Sequence, residues 1–192
     1  MKRSSDKNGD FYEVTIEGLK RKLPICRVND EISFPAFIMF GDVEITETAA
    51  RGLLRRAPDF DIILTAEAKG IPLAYEMARQ SGKSYVVARK GVKLYMKKPI
   101  ITKVKSISTE REQTLVLDET EAKKLNSRKV LIVDDVISTG ESLAAIEYLA
   151  NQVGGKIVGR MAVLAEGDAK ERDDIIFLAT SPIIQNKMIK SD

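Results

Sequence analysis

Short apolar runs and segments with a four-residue beat alternate along most of this chain. The densest run, Val130-Leu131-Ile132-Val133, has no polar break and suits a strand buried on both faces of a parallel sheet. Asp61–Thr65 (DIILT), Ser84–Ala88 (SYVVA), Lys156–Leu164 and Asp174–Ala179 predict further strands, with another at Thr114–Leu117. Ile45, Ala49 and Leu53 recur every fourth residue behind Asp42, a candidate N-cap. They predict a helix over about 43–56, stopped by Pro58. Ile71-Pro72 opens a second helix to about Gln80, and Leu143–Val153 forms a third. Phe11–Val28 alternates only partly and reads as two strands about Gly18, a small antiparallel appendage. Strands alternating with helices from about residue 42 to 165 indicate an α/β fold, a central parallel sheet flanked by helices.

Composition narrows the chemistry. Apolar content of 44% and charge of 31% are those of a globular protein, and no apolar run approaches a membrane span of about 20 residues. The polar N-terminus carries no signal-peptide pattern, and the single cysteine, Cys26, excludes an internal disulfide; together they imply a reducing cytoplasm. The chain has no histidine, which removes His-dependent triads, proton shuttles and most zinc sites. Any metal must be hard and oxygen-liganded. The net charge of +3 is mild, but Ala88–Lys105 holds seven bases (Arg89, Lys90, Lys93, Lys97, Lys98, Lys103, Lys105) and no acid. So one-sided a cluster wants an anionic partner. Nucleic acid is one candidate, although Tyr95 alone could stack on a base there, and a polyphosphate is the other; the plain alternative is a solvated basic loop.

The central stretch is Lys129–Ser142, KVLIVDDVISTGES. Here Asp134 and Asp135 end the apolar run, and Ser138-Thr139-Gly140-Glu141-Ser142 leads into the third helix. Strand, tight loop and helix N-terminus present backbone N–H groups and a positive dipole end to an anion. The adjacent carboxylates suit a diol or a metal ion instead, so the pair of features describes a ribose 5-phosphate. Ser138-x-x-Glu141 also reads as a capping box, although such a box needs neither Gly140 nor the two acids. In parallel sheets ligands sit at the carboxyl ends of the strands. The loops after Thr65, Ala88 and Val133 all fall there. Glu31–Phe40 (EISFPAFIMF) gathers three of the six phenylalanines, either as core or as an aromatic wall over a flat ligand.

As a whole KVLIVDDVISTGES resembles the phosphoribosyl-pyrophosphate (PRPP) motif of type I phosphoribosyltransferases, and the likeness covers roughly residues 30–165. Glu67-Ala68-Lys69-Gly70 is similar to the family's pyrophosphate loop, Arg89-Lys90 to its basic pair, and 91–112 stands where the family has a mobile lid. FPAFIMFGD resembles the segment before the first core helix of adenine enzymes. IPLAYEMARQSGKSYVVARK resembles purine enzymes, including archaeal hypoxanthine/guanine ones. The resemblance implies that Asp134 and Asp135 hold the ribose hydroxyls, directly or through Mg²⁺-bound water. It gives the 5-phosphate to Ser138, Thr139, Gly140, Glu141 and Ser142, and counts Val136 among the substrate-binding residues. Pyrophosphate falls to Ala68, Lys69, Gly70, Arg89 and Lys90, with a cis peptide near Glu67-Ala68. Lys69 would act on the leaving group.

The human-type 6-oxopurine enzymes carry an Asp where this chain has Ser138, and the acid of the adenine enzymes' lid matches Glu110 at best. The resemblance therefore implies Mg²⁺-dependent transfer of 5-phosphoribosyl from PRPP to a purine base, adenine first and hypoxanthine, guanine or xanthine second, in a homodimer. The rival reading is a non-catalytic PRPP-sensing regulator. The expected organisation is a disordered 1–10, an N-terminal hood at 11–40, a core at 41–182 and a C-terminal tail at 183–192.

Overall fold

The computed structural model describes residues 11–105 and 112–186. Five parallel strands form the central sheet: β4 (Ile62–Ala66), β5 (Ser84–Ala88), β8 (Lys129–Ile137), β9 (Lys156–Glu166) and β10 (Ile176–Ser181), in the order β10-β9-β8-β4-β5. The hydrophobic core lies on both faces of β8, as its unbroken apolar run requires. Leu131 and Val133 pack under α1 (Val43–Leu54) and α2 (Ile71–Ser81) with Ile45, Leu53, Leu73 and Met77. Val130 and Ile132 point the other way, into Leu143, Ile146 and Leu149 of α4 (Glu141–Gln152). Successive residues of a strand leave opposite faces, so one tetrapeptide anchors helices on both sides.

A second sheet is antiparallel, with the order β1 (Phe11–Ile16), β2 (Leu19–Arg27), β3 (Ile32–Pro35) and β11 (Ile184–Gln185). The expected pair of strands about Gly18 is present. Ile184 and Gln185, read above as tail, pair with Ser33 and Ile32. Arg21 of β2 reaches across to α1, donating to Asp42 from Nε (2.6 Å) and Nη2 (3.1 Å) and to Glu44 (2.8 Å). Asp42 also accepts from Ile45 N–H at 3.1 Å, so the predicted N-cap doubles as the tie between the two sheets' layers.

Three sequence expectations need correction. The acidic pair does not end β8: the strand runs on through Asp134 and Asp135 to Ile137, still paired with β9 through Ala165. The basic stretch is not all loop, because Ile100–Lys105 is a strand (β6) paired antiparallel with β7 (Glu112–Leu117). Ser138 does not start a capping box: the N-cap of α4 is Gly140, in left-handed backbone at φ +81, and no side chain caps it. A real capping box occurs instead at Asp118 and Glu121, opening a short helix, α3 (Glu119–Leu125), that the sequence pattern did not indicate.

Candidate active site

The carboxyl ends of β4, β5 and β8 converge on one cavity of about 580 Å³. Ala68 and Lys69 reach it from the loop after β4, and Lys90 from beyond β5. Asp134, Asp135 and Val136 enter from the end of β8, and Ser138, Thr139, Gly140 and Ser142 from the turn into α4. Thr114 and Leu115 of β7 complete the wall, and no motif in the sequence marks them. Gly70, Arg89 and Glu141 lie beside the cavity rather than in its lining. Glu110 lies outside the described residues.

Each loop is held in place by an identifiable contact. The Glu67–Ala68 peptide is cis, as the resemblance implied. Glu67 accepts from Lys90 N–H at 2.9 Å and stands 3.4 Å from the Arg89 guanidinium, so one carboxylate ties the loop after β4 to the basic pair after β5. The Lys90 N–H bond, seconded by nearby cations, holds the Glu67 pKa below its usual value against the opposing effect of burial. This linking role of Glu67 was not foreseen. Gly70 is needed for space: a Cβ there would lie 2.4 Å from Thr65 Oγ1 and 2.8 Å from Asp134 Oδ1. Gly140 is needed for conformation, and a Cβ on it would also meet the Arg172 guanidinium at 2.7 Å.

Charge is distributed unevenly around the cavity. Asp135 is buried, at 2% exposure, and Lys69 Nζ stands 2.8 Å from its Oδ2 in an ion pair set too obliquely for a hydrogen bond. Asp134 Oδ1 accepts from Asp135 N–H at 2.9 Å. The Asp134 pKa is pushed up to about 7, first by loss of hydration and then by the neighbouring Asp135 charge, with Lys69 opposing. Two acids that resist ionising together in a half-dry site attract a cation or a diol able to share them.

A smaller cavity of about 420 Å³ adjoins this one. The two share Lys69, Val136 and Ser138 as a common wall. On the far side stand Phe34, Pro35, Ala36, Phe37 and Ile38, and Glu166 at the end of β9. The aromatic segment divides: Phe37 is buried core, Phe34 and Phe37 line the cavity, and Phe40 is 54% exposed. Glu166 had no signal in the sequence, since its neighbours in the cavity lie far away along the chain.

The phosphoribosyl transferase domain model matches residues 44–190 of the chain. The chain belongs to that family. This chain is 39% identical to an adenine phosphoribosyltransferase of Cenarchaeum symbiosum over 113 residues, 58% of this chain and 64%, less than two thirds, of that protein's own length. An adenine phosphoribosyltransferase of Nocardia farcinica is 28% identical over 158 residues, 79% of this chain and 81% of the relative. Among solved structures, adenine phosphoribosyltransferase from Thermoanaerobacter pseudethanolicus superposes with a TM-score of 0.62, covering 88% of this chain and 95% of that one at 20% identity. At that identity the superposition speaks for the fold: the parallel sheet with helices on both faces is the family's.

Proposed function

We propose that this phosphoribosyl transferase moves a 5-phosphoribosyl group from PRPP to a purine base, adenine in the first place, releasing pyrophosphate. The observation that carries the reading is the convergence of three separate segments on one cavity, Asp134 and Asp135 coming from one and the cations Lys69 and Lys90 from the other two. In this reading Asp134 and Asp135 bind the ribose hydroxyls. The 5-phosphate takes the turn 138–142, where N–H groups and the dipole of the 12-residue helix α4 favour an anion. Pyrophosphate lies along Ala68, Lys69 and Gly70, with Lys90 and Arg89 behind.

The adjoining cavity, lined in part by Phe34, Phe37 and Val136, offers the aromatic and apolar surface on which a purine ring can pack. A ring nitrogen of the base then bonds to ribose C1 while the C1–O bond to pyrophosphate breaks, and the proton of that ring N–H passes to the released pyrophosphate or to water. Negative charge grows on the leaving oxygens as it does so. Lys69 and Lys90 therefore stabilise the transition state more than the bound PRPP, which is what accelerates the step.

The donor set also fits Mg²⁺. Among the described residues no group of three acids, cysteines or histidines forms a closed cage, but Mg²⁺ keeps much of its water and needs only one or two carboxylates beside substrate phosphates. Asp135 Oδ2, buried and accepting no hydrogen bond, and its neighbour Asp134 would hold the ion through its waters. When bound it neutralises part of the charge on the pyrophosphate. A cytoplasmic homodimer remains the expected setting; the lone Cys26 is exposed and unbridged, and no helix among the described residues is long and apolar enough to cross a membrane.

The test is direct. Full-length protein with PRPP, Mg²⁺ and each purine in turn should yield nucleoside monophosphate and pyrophosphate in equal amounts, fastest with adenine. A 6-oxopurine preference would favour the second choice of base. Tight PRPP binding without product from any base would favour the sensing regulator.

A further inference from the structure

Glu166 is the last residue of β9, one past Ala165, which pairs with Ile137 of β8. It is half-buried, faces the smaller cavity with Phe34, Phe37 and Ile38, and among the described residues its carboxyl group has no hydrogen bond or ion pair. A carboxyl group in a partly dry, aromatic hollow is costly to leave without a partner, and such groups are normally satisfied. The one cation that acts on it, Lys69, is already paired with Asp135. The remaining polar side chain in the lining is the Ser138 hydroxyl. The Glu166 oxygens stay open to solvent, so a ligand that displaces water from this hollow has to offer them a donor of its own.

Purine bases share a ring and differ at the edge. Adenine and guanine carry an exocyclic amine, two N–H donors, where hypoxanthine and xanthine carry oxygen or nothing. A carboxyl oxygen accepts from the amine and repels a carbonyl. We infer that Glu166 is a specificity-determining residue that accepts a hydrogen bond from the exocyclic amine of an aminopurine held in the smaller cavity, an inference that rests on the purine reading above. Partial burial raises the Glu166 pKa, with Lys69 working against it. The match survives protonation, because a neutral carboxyl still accepts through its carbonyl oxygen and gains a donor for a ring nitrogen beside the amine. Its role is positioning and choice of base.

The experiment compares kcat/KM for adenine, guanine, hypoxanthine and xanthine in the full chain, with PRPP and Mg²⁺, for wild type, Glu166→Leu and Glu166→Gln. PRPP binding is followed separately by calorimetry. The wild type should prefer an aminopurine. Both variants should lose that preference by about tenfold to a hundredfold, the size of a hydrogen bond to a charged group, while PRPP affinity stays the same. Gln replaces one acceptor with a donor, so its balance should swing further toward hypoxanthine than that of Leu. A wild type that prefers hypoxanthine or xanthine overturns the inference and leaves phosphoribosyl transfer standing. So does an unchanged base ratio in whichever variant binds PRPP. Loss of PRPP binding in both variants overturns it as well, since Glu166 would then serve the fold. A wild type inactive with every base instead defeats the purine reading itself, and the inference with it.

Discussion

Lys69 Nζ lies 2.8 Å from Asp135 Oδ2, and the two partners differ sharply in exposure, with the lysine side chain 53% exposed and the carboxylate 3%. A cation that can swing out into water thus guards an acid that cannot. The pair joins the loop after β4 to the end of β8 and stands at the wall between the two cavities. A ligand that brings its own cation or hydroxyl groups to Asp135 sets Lys69 free for a leaving anion.

Lys69→Ala should therefore lower kcat by roughly a hundredfold, the usual cost of one lost transition-state donor, and change the KM for PRPP little. Steady-state kinetics at saturating base separate the two parameters. A raised KM with kcat intact would mean that Lys69 binds ground state and transition state alike.

Gly70→Ala is a steric probe of the same loop. The new methyl would press on Thr65 Oγ1 and on Asp134, whose Cα it would meet at 3.2 Å. Thr65 is fully buried and Asp134 sits on a central strand, so neither can withdraw easily. Overpacking of this kind costs about 1–3 kcal/mol. Urea denaturation should show that loss and calorimetry a weaker PRPP complex, whereas an unperturbed midpoint would mean that the loop has slack.

Asp134 predicts the pH dependence of the protein free of metal and PRPP. Its native pKa of about 7 stands above the 3.8 of an unperturbed aspartate, so between those values the folded state holds the proton more firmly. The resulting stability is fully present below 3.8 and lost as the pH rises through 7. Asp134→Asn keeps an oxygen for the Asp135 N–H and has no proton to lose. Its denaturation midpoint should fall less than that of wild type between pH 5 and pH 8 while PRPP binding weakens. Parallel pH profiles for the two proteins would refute the assignment.

Asp42→Ala removes a helix cap and the partner of Arg21 together. The cap alone is worth about 1 kcal/mol, and Arg21 keeps Glu44 at 2.8 Å as a substitute, so a total loss of about 1–2 kcal/mol is expected. Asp42→Asn still caps, and should recover most of the stability. If Asn is as damaging as Ala, the ion pair with Arg21 outweighs the cap.

Much of this was legible in the residue order because it is local. Val130–Val133 announced a two-faced central strand, Asp42 and the Ile45-Ala49-Leu53 spacing announced α1, and the acid pair before Ser138–Ser142 marked a stretch that lines the main cavity. β6 was hidden by its own charge. Ile100–Lys105 alternates as a strand should, with Thr102 turned inward onto Gln152 Oε1 at 2.6 Å, but its lysines made it read as loop. α3 spans only two turns, too few for periodicity to register, although Asp118 and Glu121 carried its capping signature. Glu67 and Glu166 were illegible for a different reason. Each becomes informative only when the fold brings a distant segment to it, Arg89 and Lys90 to the first and Phe34–Ile38 to the second.

The shared wall of Lys69, Val136 and Ser138 makes the two cavities parts of one thermodynamic cycle. Whatever factor PRPP applies to the affinity for base, the base must apply to the affinity for PRPP. Two titrations run in opposite order, without Mg²⁺ so that no turnover consumes the ligands, should return the same coupling, and a substitution at Lys69 should change both by an equal amount.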